Sequence, residues 1–198
     1  MSLRVVVLVS GRGSNLQAIV KQQGDYEVVA VISNKADALA LEFAKHHDIA
    51  TAVIDNKDHV SRALFDKKLV EVIDYFNPDL IVLAGFMRIL TSAFVEHYHK
   101  RLINIHPSLL PKYKGLNTHQ QALDSGDEYH GCTVHFVTSD LDAGPIIKQN
   151  RVAIEANDDV DTLAHRVLTQ EHQLYPQVIQ WFAQKKIHYH NNRVELDV

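Results

Sequence analysis

Short apolar, β-branched runs alternate with helical patterns through the first half of the chain. "RVVVLVS" precedes a helical pattern over Asn15 to Gln23, "YEVVAVIS" one over Asp37 to His46, and "ATAVI" one over Ser61 to Phe76, before a fourth run, "DLIVLAG". This alternation predicts βαβ units and a parallel sheet. The near-continuous apolar character of "VVVLV" and "LIVLA" marks strands buried on both faces, so helices are expected above and below the sheet. After a fifth run, "LINIH", the pattern changes to a loop, a helix over Thr118 to Ser125, and strand-like stretches "HGCTVHFV" and "PIIKQNRVAI". A long helical segment over Asp159 to Gln184 is expected to end the regular structure. With no internal repeat, low-complexity tract or linker, residues 1–198 read as one domain.

Composition narrows the class. A chain with 46% hydrophobic and 22% charged residues is that of an ordinary globular protein rather than a disordered one. No apolar stretch approaches the roughly 20 residues needed to span a bilayer, and the N-terminal run does not have the form of a secretory signal, so a cytoplasmic location with no membrane partner is expected. The single cysteine, Cys132, excludes an internal disulfide and reads as a packing residue. A net charge of -4 without Lys/Arg runs leaves no basic footprint for nucleic acid. Thirteen histidines raise the question of zinc, but there is no HExxH, and the pairs His97/His99 and His188/His190 lack an obvious carboxylate third ligand. No metal is expected.

The chemistry concentrates in two places. In "LINIHPSLLPKY", Asn104 and His106 stand two apart on a strand and so share a face, with Ile103 and Ile105 on the other. An amide donor beside an imidazole suits an oxyanion developing on a carbonyl carbon, although an isolated strand histidine is also compatible with a structural hydrogen bond. In "SDLDAGPII", Asp142 precedes a turn between two strands, where it serves either as a turn-capping side chain or as a carboxylate that favours a cationic imidazole. With no GxSxG and no Cys/His couple, direct transfer between two bound substrates is simpler than a covalent intermediate.

The second place is "SGRGSNLQAI", between the first strand and the first helix. Gly11 and Gly13 permit close backbone approach, while Ser14, Asn15 and the helix start suit a phosphate. The plainer reading is a tight turn with Ser14 or Asn15 as the helix cap. A dinucleotide fits poorly, because Leu16 takes the third glycine position and the second strand ends in "SNK", without the ribose-binding acid.

"SGRGSNLQA", "SNKADA", "LAGFMRIL", "NIHPSLLPKYKGLNTHQQAL", "HGCTVHFV", "LDAGPI" and "TQEHQLYP" occur in this order over nearly the whole chain. Together they resemble the phosphoribosylglycinamide formyltransferases, the folate-dependent branch of the formyltransferase superfamily that serves purine biosynthesis. The resemblance implies a three-layer α/β/α formyltransferase fold with a mostly parallel sheet. Its N-terminal half (1–100) would be Rossmann-like and bind phosphate. Its C-terminal half (101–198) would be catalytic and folate-binding, with an antiparallel addition. The implied partners are two small molecules, 10-formyltetrahydrofolate as co-substrate and 5-phosphoribosylglycinamide, acted on by a monomer or a homodimer. The implied catalytic set is Asn104, His106 and Asp142. The phosphate loop carries over to Gly13, Ser14 and Asn15, and the ribonucleotide site to Glu171. Folate contacts carry over to Arg62, Met87, Arg88, Ile89, Leu90 and Asn104.

Two of these positions also have a reading of their own. In "GFMRIL" the apolar side chains would cover a flat ring while free backbone groups meet its polar edge, or else the segment starts a helix tucked into the core. Glu171 falls within the apolar stripe Val160, Leu163, Val167, Leu174, Val178 and Trp181 of the last helix, so it needs either a buried partner or a rim salt bridge. The chain departs from the family pattern at Lys114, Asn117 and Leu168, which bears on substrate contacts rather than on the reaction. Methionyl-tRNA formyltransferase and formyltetrahydrofolate deformylase carry further domains that this length does not accommodate, and a non-catalytic folate or nucleotide binder does not require the intact Asn-His-Asp set.

Overall fold

The structure, a computed structural model, describes residues 2–198. Five parallel strands, β1 (Leu3–Val9), β2 (Tyr26–Ser33), β3 (Ala50–Val53), β4 (Leu80–Leu83) and β5 (Leu102–His106), are joined by β6 (Tyr129–Phe136) and β7 (Ile146–Ala153). The order is β3-β2-β1-β4-β5-β6-β7, with β6 antiparallel to β5 and β7 antiparallel to β6. Period-2 alternation splits the apolar strands between two cores. Val5, Val7, Val9, Val82, Ile103 and Ile105 face α1 (Ser14–Lys21), α2 (Leu39–His46) and α6 (Val160–Ala183). Val6, Leu8, Ile32, Ile81, Leu83 and Leu102 face α3 (Arg62–Tyr75) and α4 (Ser92–His97). The three-layer arrangement and the antiparallel addition agree with the sequence expectation, and the short α5 (Thr118–Asp124) packs against α6.

The helices begin where their caps dictate. Ser61 Oγ accepts from the Leu64 N–H to start α3, and an Asp159/Thr162 capping box starts α6. Pro176 lies inside α6 and withholds the N–H that would bond the His172 carbonyl. Gln22, just past α1, fills that carbonyl with its Nε2 at 2.8 Å, so the defect becomes a tie between two helices. Tyr175, fully buried, shares its hydroxyl proton between the Leu83 and Ile103 carbonyls at 2.8 and 3.2 Å, fastening α6 to the end of β4 and the start of β5.

Two elements differ from the expectation. Regular structure does not end with the long helix: β8 (Ile187–His190) and β9 (Arg193–Leu196) form a hairpin around Asn191 and Asn192, both at positive φ. Asparagine tolerates that conformation, and a two-residue turn of this kind matches strand twist. Tyr189 secures the hairpin against Phe136, with ring centroids 4.9 Å apart. The second difference is α4, which starts at Ser92 under a Thr91 cap. The segment 86–90 before it is not helical, so "GFMRIL" does not open a helix.

Replacing Tyr175 with Phe should lower stability by about 1 kcal/mol, because a buried donor to two strand carbonyls is lost. Urea unfolding should show a lower midpoint with an unchanged m-value; an unchanged midpoint would show that the tie contributes nothing.

Candidate active site

The β5 register builds the site. Asn104 pairs with Leu83 of β4 on one side and with His135 of β6 on the other, and His106 pairs with Thr133. Asn104, His106 and His135 therefore share the sheet face that α3 and α4 cover farther along. Asn104 Nδ2 lies 3.3 Å from His135 Nε2, and His135 Nδ1 lies 2.8 Å from the Phe136 carbonyl. Burial pushes His135 below the ordinary histidine range, so its ring is neutral. The carbonyl requires the proton on Nδ1, which leaves Nε2 to accept one N–H of the Asn104 amide. The second Asn104 N–H stays available to the cavity. His135 was not singled out in the sequence; the alternation of "HGCTVHFV" gives its face, but only the strand register puts it opposite Asn104.

Asp142 reaches the same point from the loop between β6 and β7. It adopts φ 46°, a left-handed conformation that aspartate tolerates. Its Oδ2 accepts the Gly115 N–H at 2.9 Å and lies 3.4 Å from His106 Nδ1, while Oδ1 is 3.8 Å from His135 Nε2. The loop turns back tightly at Gly144, where a Cβ would fall 1.8 Å from the Phe136 carbonyl oxygen. His106 Nε2 meets the Tyr113 carbonyl at 2.8 Å. The Tyr113 carbonyl requires the proton on Nε2, while Nδ1 faces the Asp142 carboxylate without a hydrogen bond to it.

An open cavity is lined by Phe86, Arg88, Ile89, Leu90, Asn104 and Asp142, among others; His106 lies outside its lining, behind the contact with Asp142. A second cavity is lined by Ser10 to Asn15 together with Ala84, Gly85 and Met87. The segment 84–90 thus separates the two, and Met87 borders the glycine-loop cavity rather than the one expected for folate. Arg62, exposed at the start of α3, lines neither.

At the glycine loop the side-chain cap expected of Ser14 or Asn15 is replaced by Gly13 itself, at φ 76° and with no side-chain hydrogen bond. A Cβ there would come within 2.6 Å of Ala40 Cβ, so both conformation and space demand glycine. The first N–H groups of α1 consequently open toward the cavity. Asn15 turns inward, and its Nδ2 donates to Glu171 Oε2 at 2.7 Å. Two residues singled out separately in the sequence are therefore partners. Asn15 Oδ1 is buried without a partner, and burial raises Glu171 above the ordinary carboxylate range, an effect partly offset by Asn15.

The departures from the family pattern lie on the periphery: Lys114 is exposed, Leu168 half-buried, and Asn117 at φ 57° starts α5. His97 contacts Asp74 and His188 contacts Asp197, each at the surface. Among the described residues no group of three or more candidate ligands gathers around a point, and no helix is long and apolar enough to cross a membrane.

A family model described as formyl transferase matches residues 3–179. The phosphoribosylglycinamide formyltransferase of Escherichia coli K12 is 53% identical, over 98% of this chain and 94% of that protein. The human trifunctional purine biosynthetic protein adenosine-3 is 45% identical over 91% of this chain but only 18% of its own length. The solved phosphoribosylglycinamide formyltransferase of Coxiella burnetii superimposes with a TM-score of 0.96 at 52% identity, over 100% of this chain and 94% of that one. Sheet order, polar face and these likenesses agree, and the chain belongs to the formyl transferase family.

Proposed function

We propose that this chain transfers the formyl group of 10-formyltetrahydrofolate to the amine of 5-phosphoribosylglycinamide, giving the formylated ribonucleotide and tetrahydrofolate, as a cytoplasmic, metal-independent step of purine biosynthesis. The observation that carries the proposal is that Asn104 and Asp142 line one cavity, with His106 held 3.4 Å from Asp142, and that this cavity shares one wall, 84–90, with the glycine-loop cavity. The glycine loop and the start of α1 take the phosphate. Glu171 and Asn15 face the rest of the ribonucleotide, and the 86–90 segment takes the flat ring of the co-substrate. The cavity beside Asn104 draws on residues from either side of position 100, and Asn15 of the glycine loop is hydrogen-bonded to Glu171 of the second half, so the chain works as one domain rather than as two separable halves.

In the reaction the substrate amine attacks the formyl carbon and a C–N bond forms. Charge develops on the formyl oxygen, which the free Asn104 N–H and the His106 Nδ1–H stabilise. The 3.4 Å gap between His106 and Asp142 is longer than a tight charged hydrogen bond, leaving that N–H open to the oxyanion. Asp142 accepts the proton of the attacking amine through water. The C–N10 bond then breaks as N10 of the folate takes that proton back from Asp142 through the same water, and the formyl carbonyl reforms.

Purified protein supplied with both substrates should release tetrahydrofolate in proportion to formylated ribonucleotide. Transfer to methionyl-tRNA instead would overturn the substrate assignment. The Asp142→Asn variant should bind both ligands yet slow single-turnover transfer by about 10²-fold or more; near-normal transfer would remove Asp142 from the mechanism.

Glu171 carries a stability consequence whose sign follows from its raised folded value. The fold binds its proton more tightly than the unfolded chain, so stability falls as pH rises from the ordinary value of 4.5 through the raised one. Glu171→Gln removes that penalty. At pH 8 it should gain on the order of 1 kcal/mol, about 2–4 °C in Tm, with the gain fading below pH 4.5 and a weaker affinity for phosphoribosylglycinamide. A lower Tm at pH 8 would contradict this.

A further inference from the structure

The 86–90 segment is unusual in what it leaves unbonded. Among the described residues, the N–H groups of Arg88, Ile89 and Leu90 and the carbonyls from Phe86 to Leu90 make no hydrogen bond within the chain. Met87 and Ile89 are exposed, and neither helix nor strand fixes the backbone. Two buried side chains from other elements hold its ends instead. Ser10 Oγ, at the end of β1, accepts the Met87 N–H at 2.8 Å and donates its own proton to Asn34 Oδ1 at 2.5 Å. Asp66 Oδ2, on α3, accepts the Thr91 N–H at 2.6 Å, one residue before α4 begins. Ser10 is 5% and Asp66 3% exposed, and Asp66 Oδ1 has no partner of its own.

An unpartnered buried carboxylate oxygen is unfavourable for stability, so its retention points to a local task. We propose that Ser10 and Asp66 are positioning residues for the co-substrate, pinning Met87 and Thr91 so that the free backbone groups between them are already arranged for the flat ring's polar edge. The proposal rests on the folate reading of this cavity. Neither side chain touches the ring; each acts through one backbone N–H, and the benefit is preorganisation, since a segment not held would have to be ordered at the moment of binding. Ser10 has a second relation, because the next residue, Gly11, opens the phosphate loop. A single hydroxyl thus links the two substrate loops.

Four chains test this: the unaltered protein, Ser10→Ala, Asp66→Ala and Asp66→Asn, the last retaining an oxygen acceptor for Thr91. Tetrahydrofolate binding by calorimetry and the KM for 10-formyltetrahydrofolate should weaken about tenfold in Ser10→Ala and Asp66→Ala, with Asp66→Asn recovering most of the loss. In Asp66→Ala, which alters a residue lining neither cavity, the KM for phosphoribosylglycinamide and kcat should change by less than about threefold. Amide hydrogen exchange should accelerate at Met87 in Ser10→Ala and at Thr91 in Asp66→Ala, while α6 core amides keep their protection. Variants that bind tetrahydrofolate as tightly as the unaltered chain would overturn the positioning role. So would a uniform rise in exchange with equal weakening for both ligands, which marks general loss of stability. If the unaltered chain does not bind tetrahydrofolate, the folate reading fails and the positioning role falls with it.

Discussion

The antiparallel pairing of β6 with β5 is the constraint on which the rest of the site depends. A parallel neighbour requires a crossover, usually a helix, that packs back onto the sheet. Because β6 runs the other way, the chain between them needs no such helix on the α3/α4 side, and α5 goes to the opposite layer beside α6. The face of β5 and β6 that carries Asn104, His106 and His135 is therefore not covered by a helix. The returning 137–145 loop lies there instead and brings Asp142 with it.

Polar groups on such a face are tolerable only when they satisfy one another. His135 illustrates the accounting: one nitrogen serves a backbone carbonyl, the other an amide, and no charge is needed. Asn15 and Glu171 form a less complete pair. One Asn15 oxygen is left unmatched and the acid is destabilised by burial, which is the pattern expected where a ligand, not the protein, supplies the remaining partners.

Much of this was legible in the sequence, for identifiable reasons. Strands buried on both faces read as unbroken apolar runs, so β1 and β4 stood out, and the period of α6 was clear enough to expose Glu171 as an anomaly. The identity of its partner was not legible, because Asn15 lies 156 residues away and only packing of α1 on α6 joins them. The C-terminal hairpin left a signal in "IHYHNNRVEL", a paired asparagine turn between alternating strands, that the histidines' polar character obscured. The helix cap failed as an expectation for a different reason. Gly13 holds a conformation that removes the need for a side-chain cap and frees Asn15 for the interior.

Direct transfer between two substrates requires that both be held at once with the reacting atoms in contact and little water between them. Two separated pockets would not achieve that, and one large pocket would not tell the ligands apart. A shared wall does both. Successive residues of the 84–90 segment border different cavities, Met87 on the glycine-loop side and Phe86 and Arg88 on the other. Such a wall has to be thin, which excludes a helix or a covered strand, and a bare backbone has no ladder of its own to hold it. Anchorage must then come from side chains that reach in from the end of β1 and from α3, and on the proposed reading the thinness that would let two substrates meet accounts for buried polar residues where an apolar core would be more stable.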